Sequence, residues 1–276
     1  MVRLRLDISY DGTDFHGWAV QPGQRTVCAD VTTALGRLFD LPDKLTVAGR
    51  TDAGVHAAGQ VVHVDVPAEQ WELYADKLLW RLRGILPPDV RVTGAREVGD
   101  AFDARFSALW RRYAYRVSDA EWGVSPLRRR DILAWPRRLD VDAMNAAARA
   151  LLGEHDFAAF CKRREGATTV RTLRRLEWRC DAEATLRADV VADAFCHSMV
   201  RSLVGAMIAV GEGRKDAAWL AALTTRGERA NDFAVAPAHG LTLVEVGYPD
   251  DPQEQARRQT QTRRRRDGDL NPPDSP

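Results

Sequence analysis

The spacing of apolar residues repeats one order of segments, β-α-β-β-α-β, in each half of the chain. Segments with apolar residues on one helical face are interspersed with segments in which apolar and polar residues alternate, as along half-buried strands. This order is typical of the ferredoxin-like unit. We therefore predict an α+β protein in which two ferredoxin-like halves share a mixed, mostly antiparallel sheet.

The predicted elements divide the 276 residues into two halves and a tail. The first half, 1–106, has strands at 3–9, 44–48, 60–66 and 90–98, and helices at 27–38 and 71–82. The second half, 107–249, has strands at 110–117, 170–180, 184–191 and 241–246, helices at 141–152 and 197–210, and a small helix near 215–223. Apolar residues in 250–276 are limited to Ala256 and Leu270, so this tail cannot form a core and is predicted to be disordered.

The composition excludes several classes of protein. The longest comparable apolar run, 203–210, is far too short to span a bilayer, and no apolar signal-peptide region precedes the first predicted strand. The four cysteines, Cys28, Cys161, Cys180 and Cys196, form no CxxC pair, so we expect free thiols in a reducing compartment. These features predict a soluble cytoplasmic protein without a membrane partner.

One turn presents a carboxylate between two predicted strands. Asp52 lies in residues 48–57 (AGRTDAGVHA), where Gly49 and Gly54 allow backbone angles that other residues avoid. Apolar strands precede and follow this turn, so a buried sheet flanks it on both sides. An aspartate that only completes a turn with its own backbone is the alternative interpretation. The turn is a candidate site for a catalytic carboxylate, with Arg50 two positions away.

Basic residues cluster in two regions, although the net charge of the whole chain is only +1. Aromatic residues such as Trp110 and Tyr113 are interleaved with them, a combination that suits phosphate contact and base stacking. A solvated charged face is the alternative interpretation. The candidate RNA-binding residues are Arg111, Arg112, Arg128, Arg129, Arg130, Lys162, Arg163 and Arg164.

Six blocks between Arg3 and Pro249 resemble blocks of the tRNA pseudouridine synthase A family, in the same order. That family isomerises uridines at positions 38, 39 and 40 of the tRNA anticodon stem-loop. The blocks are 10–18 (YDGTDFHGW), 49–57 (GRTDAGVHA), 102–115 (FDARFSALWRRYAY), 155–157 (HDF), 194–201 (AFCHSMVR) and 239–249 (HGLTLVEVGYP). A single short motif can match by chance, whereas six in order do not.

The resemblance implies the pseudouridine synthase fold, an isomerase that modifies tRNA, and a homodimer. It implies that Asp52 is the catalytic residue and that Tyr113, the first tyrosine of the family's RxYxY strand, contacts the target base. It also implies that Arg201 lies beside Asp52 as its counter-ion. Arg50 is then assigned to an RNA phosphate or to intercalation during base flipping. A purely packing role stays open for both Tyr113 and Tyr115.

The implied reaction breaks the bond from the sugar to N1 of uracil, turns the uracil and rejoins it through C5. Asp52 can attack C1′ as a nucleophile or remove a sugar proton to give a glycal, and both routes stay open. The uracil must leave the RNA stack to reach the carboxylate, which requires an aromatic surface on which the flipped base rests. Tyr113 is the candidate for that surface.

Two other functions share part of this pattern. A non-catalytic RNA-binding protein would use the paired sheet as a platform and would need no carboxylate on a glycine-hinged turn. A hydrolase would combine Asp52 with His56 or His63, but their spacing supplies neither a nucleophile nor a set of metal ligands. No sequence motif indicates a metal, nucleotide or redox cofactor. We therefore predict tRNA as the partner and no cofactor.

Overall fold

The structure is a computed structural model that describes residues 1–41, 43–162, 168–181 and 183–270. Its backbone contacts divide the chain into two units. One unit contains Met1–Leu109 together with Leu243–Arg265, and the other contains Trp110–Thr242. The boundary follows Leu109, where the sequence pattern placed it after Phe106, and most of the last strand belongs with the N-terminal unit.

The first unit has a split order of strands. Its elements are β1 (Val2–Tyr10), α1 (Val27–Leu35), β2 (Thr46–Val47), β3 (His56–Val66), α2 (Ala68–Tyr74), α3 (Leu78–Ile85) and β4 (Val90–Val98). Strand β1 pairs antiparallel with both β3 and β4, and β2 pairs with the other edge of β3. The two strands joined by α1 are therefore separated by β3, which is the ferredoxin-like arrangement predicted for this half.

Strand β1 shows how the sequence produces this sheet. Leu4, Leu6 and Ile8 are fully buried, whereas the residues between them keep some exposure, because side chains alternate between the faces of a strand. One of the alternate residues, Arg3, forms an ion pair with Asp65 of β3 across the antiparallel register, with a nitrogen–oxygen distance of 2.7 Å.

The predicted helix 71–82 is interrupted. A 3-10 turn, Ala75–Lys77, separates α2 from α3 and shifts the helical phase between them. Leu78 and Leu82 are buried as the apolar spacing predicts, but Leu79 is 41% exposed. The predicted stripe assumed one continuous helix, whereas the turn divides it into two short helices, and within α3 only Leu78 and Leu82 of the predicted stripe are buried.

The second unit repeats the split order. Its elements are β5 (Trp110–Ser118), β6 (Leu133–Ala134), α4 (Val141–Ala148), β7 (Gly153–Asp156), β8 (Val170–Cys180), β9 (Leu186–Ala192), α5 (Met199–Gly211) and α6 (Ala217–Ala222). Of the last strand, β10 (Leu241–Gly247), only the first two residues belong to this unit. Strand β9 lies between β5 and β8 and is antiparallel to both. The α+β prediction with ferredoxin-like strand order is confirmed in each unit. The short strand β6 pairs parallel with β5, and it lies between the predicted strand 110–117 and the predicted helix 141–152, where no element was predicted.

Helix α5 forms the centre of the second unit. Every residue of Met199–Gly211 is buried except Arg201, which is half-buried. Neighbouring backbone approaches the helix closely at Gly205, where a Cβ atom would lie 1.8 Å from the carbonyl oxygen of Ala234. A larger residue at this position is incompatible with the packing. Gly205 therefore allows the close approach of α5 to the backbone at Ala234.

Two of the four cysteines depart from the prediction of free thiols. Cys161 and Cys196 are joined in a disulfide, with their Cα atoms 5.7 Å apart although the two residues are 35 positions apart in sequence. Cys28 and Cys180 are free. The prediction of free thiols was wrong for this pair because it considered only short spacing between cysteines in sequence. The fold brings Cys161, which follows a 3-10 turn, next to Cys196, which lies shortly before α5.

The C-terminal region also differs from its prediction. Pro252–Leu270 form helix α7, where the composition predicted disorder. Glutamine, glutamate and arginine have good helix propensity, so a helix forms here without an apolar face to bury. The start of α7 is also anchored within the first unit, since the Ser107 hydroxyl donates to the carbonyl oxygen of Gln255. Among the described residues no helix is both long and apolar enough to cross a membrane.

Candidate active site

The loop between β2 and β3 carries Asp52 as the sequence predicts. Gly54 adopts a φ of +76°, and the backbone N–H of Val55 donates to the carbonyl oxygen of Asp52 over 3.2 Å. The resulting turn leaves the Asp52 side chain half-buried. A partly exposed carboxylate on a closed turn can meet a ligand without a large movement of the backbone.

The block at 10–18 packs directly on this loop. The backbone N–H of Trp18 donates to the Thr51 carbonyl over 3.1 Å, and the N–H of Gly54 donates to the Phe15 carbonyl over 3.2 Å. Gly17, with a φ of +87°, passes so close that a Cβ atom would lie 2.8 Å from the Thr51 oxygen. These contacts hold the loop on both sides of Asp52.

A buried hydrogen-bond network fixes the residue before the carboxylate. The hydroxyls of Tyr10 and Thr51 are 2.7 Å apart. The Gln60 amide donates to the Tyr10 hydroxyl over 3.3 Å and to the Gly49 carbonyl over 2.8 Å. Burial raises the pKa of Tyr10 to about 12, so its phenol stays protonated and can donate. Sequence reasoning missed this network, although Tyr10 begins the first of the quoted blocks.

The two histidines near the loop hold backbone segments. His56 and His63 are buried, and each accepts a backbone N–H at Nδ1, from Gly12 over 3.0 Å and from Ala104 over 2.9 Å. Gly12 is required for its contact, because a Cβ atom there would lie 2.1 Å from the Val55 carbonyl oxygen. These positions favour structural roles over the general base that the hydrolase alternative requires. Arg50, on the same loop as Asp52, is exposed.

The second unit contains Tyr113, the predicted base-contacting residue. Tyr113 lies on β5 with 8% of its surface exposed. The Phe195 ring meets it edge to face, with ring centroids 5.1 Å apart and an interplanar angle of 88°. This geometry is the favoured one for aromatic pairs and limits rotation of the tyrosine ring. Phe195 belongs to the 194–201 block, but its role was not predicted.

Tyr115 has a packing role. It is fully buried, and its hydroxyl donates to the Pro237 carbonyl over 2.8 Å. Gly240 makes room for the ring, since a Cβ atom there would lie 2.6 Å from Cζ of Tyr115. Burial raises the pKa of Tyr115. Of the two tyrosines that the sequence pattern left open, Tyr115 is therefore assigned to the core.

Arg201 is held by two hydrogen bonds to Ala236, in the segment that precedes β10. Its Nε donates to the Ala236 carbonyl over 2.7 Å, and the Ala236 N–H donates to the Arg201 carbonyl over 3.0 Å. The side chain is half-buried on an otherwise buried helix. This reciprocal pair orients the guanidinium and leaves little conformational freedom to lose when it binds an anion.

The predicted basic residues around Arg128 differ in their exposure to solvent. Arg128 forms ion pairs with Asp131 at 2.8 Å and with Glu183 at 3.2 Å, and the hydrogen bond with Asp131 raises the pKa of Arg128. Arg129 and Arg130 are exposed.

The remaining candidates are distributed over β5 and the segment after Phe160. Arg111 donates to the Asp193 carbonyl over 2.7 Å, Arg112 is half-buried, and Lys162 is exposed. Arg163 and Arg164 lie outside the described residues. Arg129, Arg130 and Lys162 are therefore the exposed residues among the described candidates.

Comparison with known proteins defines the class. Residues 147–249, which include α5 and Arg201, match the family model described as tRNA pseudouridine synthase. The match covers 103 of the 276 residues. A chain from the crystal structure of a Cbf5-Nop10-Gar1 complex matches 74% of this chain and 45% of its own length, at a TM-score of 0.35 and 12% identity.

Full-length relatives define the particular family. A tRNA pseudouridine synthase A of Frankia casuarinae is 62% identical over 93% of both chains. Those of Streptomyces avermitilis and Mycobacterium leprae are 56% and 52% identical, each over 91% of this chain and over 89% and 91% of their own lengths. The chain belongs to the tRNA pseudouridine synthase A family. The resemblance inferred from the six blocks is confirmed.

Proposed function

We propose that this protein isomerises uridine to pseudouridine at positions 38, 39 and 40 of the tRNA anticodon stem-loop. The observation that carries the proposal is the half-buried Asp52 carboxylate on a loop that the 10–18 block braces from both sides, in a member of this family. The enzyme is an isomerase: substrate and product contain the same atoms, so the reaction needs no external oxidant or reductant.

Asp52 supplies the chemistry at the sugar. The bond between C1′ and N1 of uracil breaks, the base turns, and a bond forms between C1′ and C5. C5 then loses its proton, and N1 takes one up. The Asp52 carboxylate either attacks C1′ or removes a sugar proton, and the braced loop suits both routes because it holds the carboxylate in place before substrate arrives.

Tyr113 provides the surface for the flipped base. Extrusion of a nucleotide from an RNA stack costs a few kcal/mol, and stacking on an aromatic ring offsets part of that cost. The edge-to-face contact with Phe195 supports this role because it fixes the orientation of the tyrosine ring.

Two arginines complete the proposed site. Arg201 is the proposed counter-ion of Asp52, supported by the reciprocal bonds to Ala236 that orient its guanidinium. Arg50 contacts an RNA phosphate or intercalates as the base leaves the stack, and its exposure beside Asp52 supports either role.

Basic side chains of the second unit bind the RNA backbone. Arg129, Arg130 and Lys162 are exposed and can each neutralise a phosphate. Arg111, Arg112, Arg128, Arg163 and Arg164 complete the proposed set. Contacts of this kind recognise the shape of a folded stem-loop, since side chains cannot read base edges in the deep major groove of paired RNA.

The proposal includes a homodimer that acts in the cytoplasm. Leu73 and Trp80 are 69% and 71% exposed, and such apolar surface is available to a second copy. Light scattering of the protein after size-exclusion chromatography tests this part. The dimer mass should shift towards the monomer in Trp80→Glu and should persist in Val20→Glu, which changes another exposed apolar residue.

Release of tritium from C5 of uridine in labelled tRNA tests the proposed reaction. Asp52→Asn should abolish release while tRNA binding, measured by filter retention, stays within twofold. Asp14→Asn, which changes an exposed aspartate of the 10–18 block, is the matched control and should retain release. Release by Asp52→Asn at the wild-type rate would refute the mechanism, and absence of release by the wild-type protein would favour the non-catalytic RNA-binding alternative.

A further inference from the structure

The disulfide Cys161–Cys196 fastens two segments of the second unit together. Cys161 follows the 3-10 turn Ala158–Phe160 and is 1% exposed. Cys196 lies between β9 and α5 and is half-buried. A backbone hydrogen bond from Lys162 N to His197 O, at 3.0 Å, runs beside the disulfide. The two segments are thus joined at adjacent positions by one covalent and one hydrogen bond.

The segment on the Cys196 side carries Phe195. At its start, the Asp193 carboxylate accepts the N–H of Thr172 over 3.0 Å and of Ala194 over 2.8 Å. At its end, Ser198 adopts a left-handed φ of +65° and α5 begins. Phe195 therefore lies between an anchor at Asp193 and the disulfide, and its ring contacts Tyr113.

We propose that Cys161 and Cys196 form a reversible redox site whose disulfide state holds Phe195 against Tyr113 and so raises the turnover number. The inference rests on the role of Tyr113 in the proposed function. In the dithiol state the segment keeps its anchor at Asp193 but loses the covalent one, and Phe195 gains freedom to move away from the tyrosine ring.

The proposed oxidant is hydrogen peroxide. The Cys196 thiol is the accessible one, so it reacts first and becomes a sulfenic acid with release of one water molecule. The Cys161 thiol then displaces the hydroxyl group of the sulfenic acid, which forms the disulfide and releases a second water. Two electrons pass from the two sulfurs to the peroxide, and a small dithiol returns them by thiol–disulfide exchange.

The experiment compares the reduced and peroxide-treated full-length protein. Titratable thiols should fall from four to two, and mass spectrometry should find the peptide containing Cys161 linked to that containing Cys196. The kcat of tritium release should be about tenfold higher in the disulfide state, with KM within twofold, because a misplaced reacting group costs rate and leaves the phosphate contacts intact.

Three variants separate this mechanism from a general effect of oxidation. Cys196→Ser should keep the lower kcat under both conditions, whereas Cys180→Ser, which removes an exposed free thiol, should respond as the wild type does. Phe195→Leu should form the disulfide but show no dependence of kcat on it. Recovery of both thiols after peroxide, or a disulfide with unchanged kcat, would overturn the inference.

A readout independent of catalysis separates this inference from the proposed function. Amide hydrogen exchange across 193–198 should be slower in the disulfide state than in the dithiol state. Equal exchange in the two states overturns the inference even where tritium release is robust. Slower exchange without tritium release in either state instead refutes the proposed function while leaving the redox site established.

Discussion

The hydroxyl of Tyr10 lies 2.7 Å from that of Thr51, the residue directly before Asp52, and both are buried. The contact joins the first strand to the loop that carries the proposed catalytic carboxylate. Because both residues are buried, loss of either hydroxyl leaves a buried polar group without this partner.

Tyr10→Phe should destabilise the fold and slow catalysis. The substitution removes the hydroxyl shared by Thr51 and Gln60, so the free energy of unfolding should fall by about 1–3 kcal/mol. The kcat of tritium release should fall while KM changes little. Urea unfolding and steady-state kinetics provide the measurements, and Tyr74→Phe, on helix α2, is the control with the same chemical change. An unchanged kcat in Tyr10→Phe would show that this hydrogen-bond network does not position Asp52.

Gly17→Ala should disturb the Asp52 loop directly. The left-handed φ of +87° costs an alanine about 1–2 kcal/mol, and the new Cβ would lie 2.8 Å from the Thr51 oxygen. Gly123→Ala has nearly the same φ, +86°, but nothing within 4 Å of its Cβ. Both variants should lose stability, and Gly17→Ala alone should lose about tenfold or more in kcat. Equal kcat values in the two variants would contradict the bracing role of Gly17.

Tyr113→Ala should lower kcat by about 10–100-fold, the equivalent of one lost stacking contact of about 1–3 kcal/mol. Tyr113→Phe should preserve binding because it keeps the ring. A fall in turnover in the phenylalanine variant would assign proton transfer to the hydroxyl, and equal turnover would restrict Tyr113 to stacking. Wild-type kcat in the alanine variant would exclude Tyr113 as the surface for the flipped base.

Neutralising single arginines should distinguish residues that contact RNA phosphates from Arg128, which forms ion pairs within the protein. Arg129→Gln and Arg130→Gln should each reduce the slope of log binding constant against log salt by about 0.7–0.9. Arg128→Gln should change that slope less, since Asp131 and Glu183 already neutralise Arg128. Fluorescence anisotropy with labelled tRNA over a range of salt concentrations provides the slopes. Equal slopes in all four proteins would show that the cluster is a solvated face.

Asp189 should contribute stability that depends on pH. Burial opposes its ionisation, but Arg179 and Arg187 more than compensate, so the pKa of Asp189 is lowered in the folded state. A lowered pKa adds stability above the unfolded-state value, about 4, which is lost as the pH falls through the folded-state pKa. Asp189→Asn should therefore cost about 1–3 kcal/mol at pH 7 and progressively less below pH 4.

Chemical unfolding at several pH values measures this difference. Glu154→Gln, which changes an exposed carboxylate on β7, should show no comparable trend. A cost of Asp189→Asn that stays constant from pH 7 to pH 3 would contradict the role of the two arginines.

Local periodicity made the order of elements predictable. Strands β4 and β8 have the predicted bounds, and the other long elements differ from prediction by a few residues at their ends. Alternation with a period of two and apolar spacing near 3.6 are properties of a segment alone, so they can be read without knowledge of the fold. The interruption of the predicted helix at Ala75–Lys77 was not predicted, because a short change of helical phase leaves the number of apolar residues in the segment almost unchanged.

The candidate site was predictable only in part. The turn around Asp52 is encoded locally by its glycines, and the motif blocks identified the family. The partners that hold this turn, Tyr10 and Gln60, come from strands that meet it only in the folded chain.

The sequence by itself determined the segment order, the family and the candidate carboxylate, because each resides in a short contiguous stretch of residues. Only the tertiary structure decided that Cys161 meets Cys196, that Phe195 supports Tyr113, and that Glu183 neutralises Arg128. These pairs are separated by tens of residues, and their proximity depends on which strands pair and where the helices pack. The spacing of residues along the chain does not predict these contacts.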